Sequence, residues 1–190
     1  MNILITSALF AAMVATTPTP VAHQAKMMHQ NPMVGGMAMT VSKNIVENAV
    51  NSKDHTTLVA AVKAAGLVDA LMGKGPLTVF APTNAAFDML PSGTVDSLLM
   101  TENKMKLTNI LTYHVVAGKL TYDSISKAIK AGGGTAEMKT LSGHKLWAMW
   151  NGPKNIVLKD EMGGISSIST YDVIQSNGVI HIIDRVLMPN

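Results

Sequence analysis

The chain has 190 residues, of which 47% are hydrophobic and 14% are charged, so it can form one folded domain with an additional tail. Aromatic residues make up only 4% and the formal net charge is +3, without the clustered Lys and Arg that nucleic-acid binding usually needs. The absence of cysteine excludes disulfides, cysteine-ligated zinc and thiol catalysis.

The first 25 residues have the pattern of an export signal. An apolar run over residues 3–15 is too short to cross a bilayer as a helix, and Thr and Pro residues follow it. Ala22 and Ala25 are the candidate cleavage points, although no Lys or Arg precedes the run. The alternatives are a disordered apolar N-terminus or a misassigned start codon. We predict a signal peptide over residues 1–25, and hence a secreted, periplasmic or surface-held protein that does not span the membrane after cleavage.

Residues 26–40 are rich in Met, His and Gly and show neither a helical nor a strand period, which predicts a flexible linker. Thioether and imidazole groups suit copper, and the candidate ligands are Met27, Met28, His29, Met33, Met37 and Met39. A general bias towards Met is the alternative explanation, because further methionines are scattered through the rest of the chain as flexible core residues.

The folded domain is predicted over residues 41–190, with helices concentrated in its first half. Predicted helices cover residues 42–50, 54–65, 67–72, 83–90, 94–100, 101–111 and 121–131, and predicted strands cover 77–80 and 113–116. Gly66 is placed to end the second helix as its C′ residue. Pro82 ends the first strand because it cannot donate to a ladder, and Thr83 or Asn84 begins the next helix.

The second half changes to a strand-like period. Predicted strands cover residues 135–141, 145–150, 155–158, 165–170, 172–175 and 179–187. Ser142-Gly143-His144 and Ser176-Asn177-Gly178 are hairpin turn signals between them. Helices followed by strands favour an α+β fold over alternating βαβ units.

Three segments, residues 78–87, 111–118 and 177–189, resemble the signature segments of the fasciclin domain in type, order and spacing, and the resemblance extends over about residues 41–189. The motif positions are Phe80, Pro82, Thr83, Asn84, Phe87, Asn177 and Gly178. The resemblance implies a wedge-shaped, β-sandwich-like core with helices packed around it. It also implies a secreted or surface-held protein used in adhesion or attachment, as in single-domain exported bacterial members, and no enzymatic activity.

Tyr113, His114 and His181 are the candidate binding residues. In animal fasciclin proteins a Tyr-His pair like Tyr113-His114 is linked to integrin binding, so the resemblance implies a contact role here. Neighbours in a strand point to opposite faces, which predicts that one of the pair is exposed. The alternative is a buried histidine that bonds backbone groups. His181 alternates with apolar residues in a strand, and it either projects to the surface or lies under the helices.

The remaining polar residues do not form a catalytic motif. Neither Gly-x-Ser-x-Gly nor His-Glu-x-x-His occurs, so we predict a protein that is not an enzyme and needs no cofactor. His144, in a hairpin turn, is expected to be solvated, and no partner is evident for His55. The sequence therefore predicts a non-enzymatic adhesion or recognition protein that binds a cell-surface or extracellular protein or glycan. The alternatives are a periplasmic copper-binding protein and, last, a small hydrolase.

Overall fold

A mixed sheet and a layer of helices make up the computed structural model, which describes residues 31–190. The helices are α1 (Ile45–Ala49), α2 (Thr56–Ala65), α3 (Val68–Met72), α4 (Asn84–Asp88), α5 (Thr94–Leu99), α6 (Lys104–Tyr113) and α7 (Tyr122–Ala131). The strands are β1 (Met33–Val34), β2 (Met37–Ala38), β3 (Leu77–Pro82), β4 (Val115–Ala117), β5 (Thr135–Lys139), β6 (Lys145–Trp150), β7 (Ile156–Lys159), β8 (Ile165–Gln175) and β9 (Gly178–Ile183).

The large sheet has seven strands in the order β4-β3-β9-β8-β7-β6-β5. Neighbouring strands are antiparallel except β3 and β9, which run parallel to each other next to the edge strand β4. A bridge between Val116 and Thr140 joins the two ends of the sheet, and the Leu141 amide donates to the Val115 carbonyl at 2.8 Å. The sheet is therefore curled into a nearly closed barrel.

Two apolar clusters lie on the two faces of β3 and β9. Because side chains alternate along a strand, Val79 and Ala81 pack against α1–α6, while Phe80 points into the curled sheet. The interior of the sheet is closed by α7 through Ile125 and Ile129, which are 1% and 0% exposed. The expected α+β fasciclin-like fold, with helices in the first half and strands in the second, is confirmed. No helix within residues 31–190 is long and apolar enough to span a membrane.

The predicted strand over residues 113–116 is wrong in its first half. Tyr113 is the last residue of α6, and His114 caps that helix by donating its amide to the Leu111 carbonyl at 3.2 Å. The helix continues because Leu107 and Leu111 bury one apolar face up to this point. Only the β-branched residues that follow enter β4.

The predicted linker is also wrong over residues 31–40. Residues 33–38 form the β1–β2 hairpin, and Val34 and Met39 are buried at 6% and 7% exposure. The Asn31 side chain donates to the Ile174 carbonyl at 2.6 Å and accepts from the Ile174 amide at 3.2 Å. A hairpin this short gives no visible period, so its packing could not be predicted from the pattern. The rest of the predicted linker and the predicted signal peptide lie outside the described residues.

Candidate functional site

Tyr113, the first residue of the candidate pair, lies inside the core. Its side chain is fully buried, and its hydroxyl donates to the Lys145 carbonyl at 2.6 Å and accepts from the Glu161 amide at 3.2 Å. Burial raises the pKa of Tyr113 to about 12. Tyr113 therefore ties the end of α6 to the strands β6 and β7.

His114, the second residue of the pair, is 2% exposed and bonded on both ring nitrogens. Nδ1 lies 2.8 Å from the Ile110 carbonyl and must carry the proton, since a carbonyl only accepts. Nε2 accepts from the Leu187 amide at 2.9 Å. The second bond requires the neutral ring, because Nε2 accepts only when it carries no proton, and burial lowers the pKa of His114 to about 4.

His181 in β9 is likewise bonded to backbone groups through both ring nitrogens, but its proton is on Nε2 instead of Nδ1. It is fully buried, and Nε2 donates to the Leu120 carbonyl at 2.7 Å while Nδ1 accepts from the Asp172 amide at 3.3 Å. Asp172 reaches this position with a φ of 54°, which Asp tolerates better than most residues, at an irregularity of β8. The imidazole also stacks on Phe80 with centroids 5.7 Å apart. Burial lowers the pKa of His181.

None of the three candidate binding residues presents its side chain to a partner. The prediction that Tyr113 and His114 point to opposite faces of a strand is wrong, because both lie at a helix end and both are buried. The alternative reading of His114, a core histidine that bonds backbone groups, is the arrangement found. His181 is not at the surface: it is buried inside the curled sheet, on the face where it stacks on Phe80.

The other two histidines discussed from the sequence also have partners. His55 is 4% exposed, its Nδ1 lies 2.8 Å from the Ser52 hydroxyl, and burial lowers its pKa. His144 is half-buried rather than solvated, with Nδ1 2.8 Å from a Glu161 carboxylate oxygen. The Lys145 and Asn190 amides also donate to Glu161, and these bonds lower the pKa of its carboxyl group.

The Pro-Thr-Asn segment after β3 joins two helices. Thr83 caps α4, as predicted, by accepting from the Ala86 amide at 3.3 Å. The Asn84 side chain caps a different helix: its oxygen accepts from the Thr57 amide at 3.0 Å at the start of α2, and its nitrogen donates to the Lys53 carbonyl at 2.9 Å. Asn84 therefore holds α4 against the beginning of α2.

We expect Asn84→Ala to lower the free energy of unfolding by about 1–2 kcal/mol, because it removes a helix cap and leaves the Lys53 carbonyl without this donor. Urea denaturation of the variant and of Asn155→Ala, a control at an exposed residue, measures the difference. Equal losses in the two variants would contradict the capping role.

Asn177 in the β8–β9 turn makes a similar junction. Its side-chain nitrogen donates to the Leu71 carbonyl at 2.8 Å and the Gly73 carbonyl at 3.1 Å, and its oxygen accepts from the Ile45 amide at 3.1 Å. The turn thereby fixes α1 and α3 at one end of the sheet. Phe80 and Phe87 are 0% and 6% exposed, so these motif residues are core residues.

The described part of the predicted copper site is not assembled. Met33 pairs with Ala38 and Met37 with Val34, which places the two thioethers on opposite faces of the hairpin. Met39 is buried in the core. Met27, Met28 and His29 lie outside the described residues. Within residues 31–190, no group of three His, Asp or Glu residues is placed to hold a metal ion.

An apolar cavity of about 70 Å³ lies between the helices and β3. Residues of α1, α2, α3 and α6 line it, including Ile45, Val62 and Leu111. Its volume is well below the roughly 300–1,000 Å³ of typical small-molecule sites, and its lining offers few polar groups that could orient a ligand.

Comparisons with known proteins agree with this architecture. The family model described as "Fasciclin domain" matches residues 53–189. The chain is 43% identical over 172 residues to Protein sll1483 of Synechocystis sp., covering 90% of this chain and 88% of that protein. It is 36% identical over 166 residues to the cell surface glycolipoprotein MPB83 of Mycobacterium bovis, covering 84% of this chain and 67% of that protein.

A solved structure has the same fold. A FAS1 domain pair from the insect cell adhesion molecule Fasciclin I superposes with a TM-score of 0.68 at 18% identity, covering 77% of this chain and 51% of that chain. The chain thus corresponds to about half of that pair.

Proposed function

The chain belongs to the fasciclin domain family, and we propose that it is an exported, non-enzymatic protein that recognises a cell-surface or extracellular protein or glycan in adhesion. The family match over residues 53–189 carries this proposal. The similarity to MPB83, which is named a cell surface glycolipoprotein, supports a position at or outside the cell surface.

The geometry of the histidines supports a recognition role rather than catalysis. A general base needs a ring nitrogen within hydrogen-bond reach of a substrate. Both ring nitrogens of His114 and of His181 are engaged with backbone groups inside the core. These residues stabilise a rigid scaffold, so recognition falls to the exposed loops and faces around it.

A strain that lacks this gene is expected to show reduced surface attachment and cell aggregation, because the proposed function is adhesive. Complementation with the full-length gene should restore both. The matched control is a gene without codons 2–25, which removes the predicted export signal and should not restore either. Unchanged attachment and aggregation in the deletion strain would contradict the proposed function.

Copper binding by the N-terminal segment stays a prediction. Its support is the composition around Met27, Met28 and His29 and the exposure of Met33 and Met37, which is 65% and 42%. The burial of Met39 removes one of the proposed ligands.

A further inference from the structure

An open depression with an aromatic wall lies between α7 and the loop that connects β6 to β7. Tyr122, Asp123, Ser126, Lys130, Trp150 and Pro153 line it, and we call it the aromatic depression. None of these residues belongs to the buried histidine network or to the motif segments described above. The depression is thus a separate feature of the surface.

The two rings of the depression are held in fixed positions. Tyr122 and Trp150 meet edge to face, with centroids 6.3 Å apart and planes at 74°. Tyr171 also packs edge to face with Tyr122, with centroids 5.0 Å apart and planes at 77°. The Tyr122 hydroxyl donates to the Lys154 carbonyl at 2.9 Å. Both rings of the depression are only partly buried, so they present an aromatic surface that is already ordered before a ligand arrives.

The polar groups of the depression have unused hydrogen-bonding capacity. Ser126 is 8% exposed, and its hydroxyl has no hydrogen-bond partner within residues 31–190. Buried hydroxyls are normally bonded, so this one leaves room for a water at the floor of the depression. Asp123 and Lys130 are exposed and take part in neither of the salt bridges found in the described residues.

This combination fits a sugar better than a peptide. A hexose ring has a C–H face that packs on an aromatic ring and hydroxyls around its edge that bond to carboxylate, ammonium and hydroxyl groups. A protein partner would more typically insert a large side chain into a dry apolar pocket, whereas this depression is open and lined by mixed polar and aromatic groups.

We propose that the aromatic depression binds a hexose unit of a cell-surface glycan. Trp150 packs on the C–H face of the sugar, Tyr122 borders the bound ring, and Asp123 and Lys130 bond its hydroxyls. The inference rests on the proposed function and specifies the class of its partner.

The two tryptophans of the chain provide an internal control for the test. Trp150 lies in the depression, whereas Trp147 lies on the outer face of the sheet opposite Glu137 and Lys159. The ¹⁵N-labelled protein is titrated with gluco-, manno-, galacto- and N-acetylglucosamine hexasaccharides. With the glycan class that binds, the indole N–H signal of Trp150 should shift saturably while that of Trp147 stays in place.

Asp123→Ala should weaken this binding at least tenfold because it removes an exposed carboxylate that bonds the sugar. Asp96→Ala is the matched control, since Asp96 is also exposed and also lies in the first turn of a helix. Both changes are at the surface, so circular dichroism spectra should match that of the unmodified protein. Equal affinity of Asp123→Ala and Asp96→Ala for the hexasaccharide would overturn the assignment of the site.

A second assay separates the glycan from the wider adhesive function. Binding of the purified protein to cells of its own source is measured after periodate oxidation or protease treatment of those cells. Loss of binding after periodate, together with weaker binding of Asp123→Ala, supports the inference. Binding that survives periodate and is lost with protease, or a Trp150 signal that none of the hexasaccharides shifts, overturns the inference and leaves the adhesive function standing. Absence of any cell binding, with normal attachment of the deletion strain, overturns both.

Discussion

Lowering the pH from 7 to 4.5 is expected to reduce the free energy of unfolding by about 2–3 kcal/mol through His114. Burial lowers the pKa of this side chain to about 4 in the folded protein, while in the unfolded chain the pKa is near the ordinary histidine value of about 6.5. Between these two values the unfolded chain binds the proton and the folded protein does not. The contribution of His114 to the free energy of unfolding is therefore complete above pH 6.5. It declines as the pH falls, and it is lost as the pH passes through the pKa of the folded protein.

The hydrogen bonds explain why the folded protein resists the proton. A proton on Nε2 of His114 would face the Leu187 amide, which is itself a donor. Asp160 lies near enough to favour the charged form, but desolvation has the larger effect. His181, with Asp172 as its acidic neighbour, and His55, with Asp54, have pKa values lowered for the same main reason. His181 and His55 therefore also lower the free energy of unfolding as the pH falls.

Urea denaturation at several pH values between 7 and 4.5 measures this effect. His114→Gln should be less stable at pH 7 but should lose much less stability on acidification, because its side chain does not titrate. His144→Gln is the control, since it removes a half-buried histidine outside the core and should keep most of the acid sensitivity. An NMR titration in which the His114 ring of the folded protein protonates near pH 6.5 would contradict the argument.

The order of the elements could be predicted because its signals are local. Gly66 has a left-handed φ of 73° at the end of α2, as its position after the apolar face indicates. Thr83 begins α4 as the Pro-Thr-Asn segment predicts. In each case a few neighbouring residues decide the backbone, so no knowledge of the tertiary structure is needed.

The partners of the polar side chains could not be predicted because they come from distant parts of the chain. Asn31 bonds to Ile174, and Asn84 bonds to the first turn of α2 and to the Lys53 carbonyl before it, rather than to its own helix. The end of α6 was misread for a related reason. The imidazole of His114 can be buried there because the fold places the Ile110 carbonyl and the Leu187 amide beside its two ring nitrogens.

The burial of the candidate pair could not be predicted. The family resemblance implies a contact role for Tyr113-His114, yet its polar atoms are directed inward. Tyr122 and Trp150 are far apart in sequence, so no motif brings them together.

Gly178→Ala is expected to destabilise the protein by about 3 kcal/mol or more, since the change forces apart backbone segments that cannot relax independently. The sequence suggested an Asn-Gly hairpin turn, in which Gly supplies a positive φ. In the structure the turn residues are Ser176 and Asn177, and neither they nor Gly178 has a positive φ. Gly178 is required for another reason: a Cβ atom there would overlap the Leu77 carbonyl.

The cost of that overlap is high because of what meets at Gly178. The residue pairs with Leu77 at the start of the parallel β3–β9 ladder, and the preceding Asn177 holds α1 and α3. Moving β9 away from β3 would weaken all of these contacts together. Gly73→Ala is the matched control, because its added Cβ would meet its nearest neighbour, the Ala70 carbonyl oxygen, at 3.3 Å with an ordinary φ. Thermal and urea denaturation measure the free energies of unfolding of the two variants. If the value for Gly178→Ala lies within 1 kcal/mol of the value for Gly73→Ala, β3 and β9 can separate freely here.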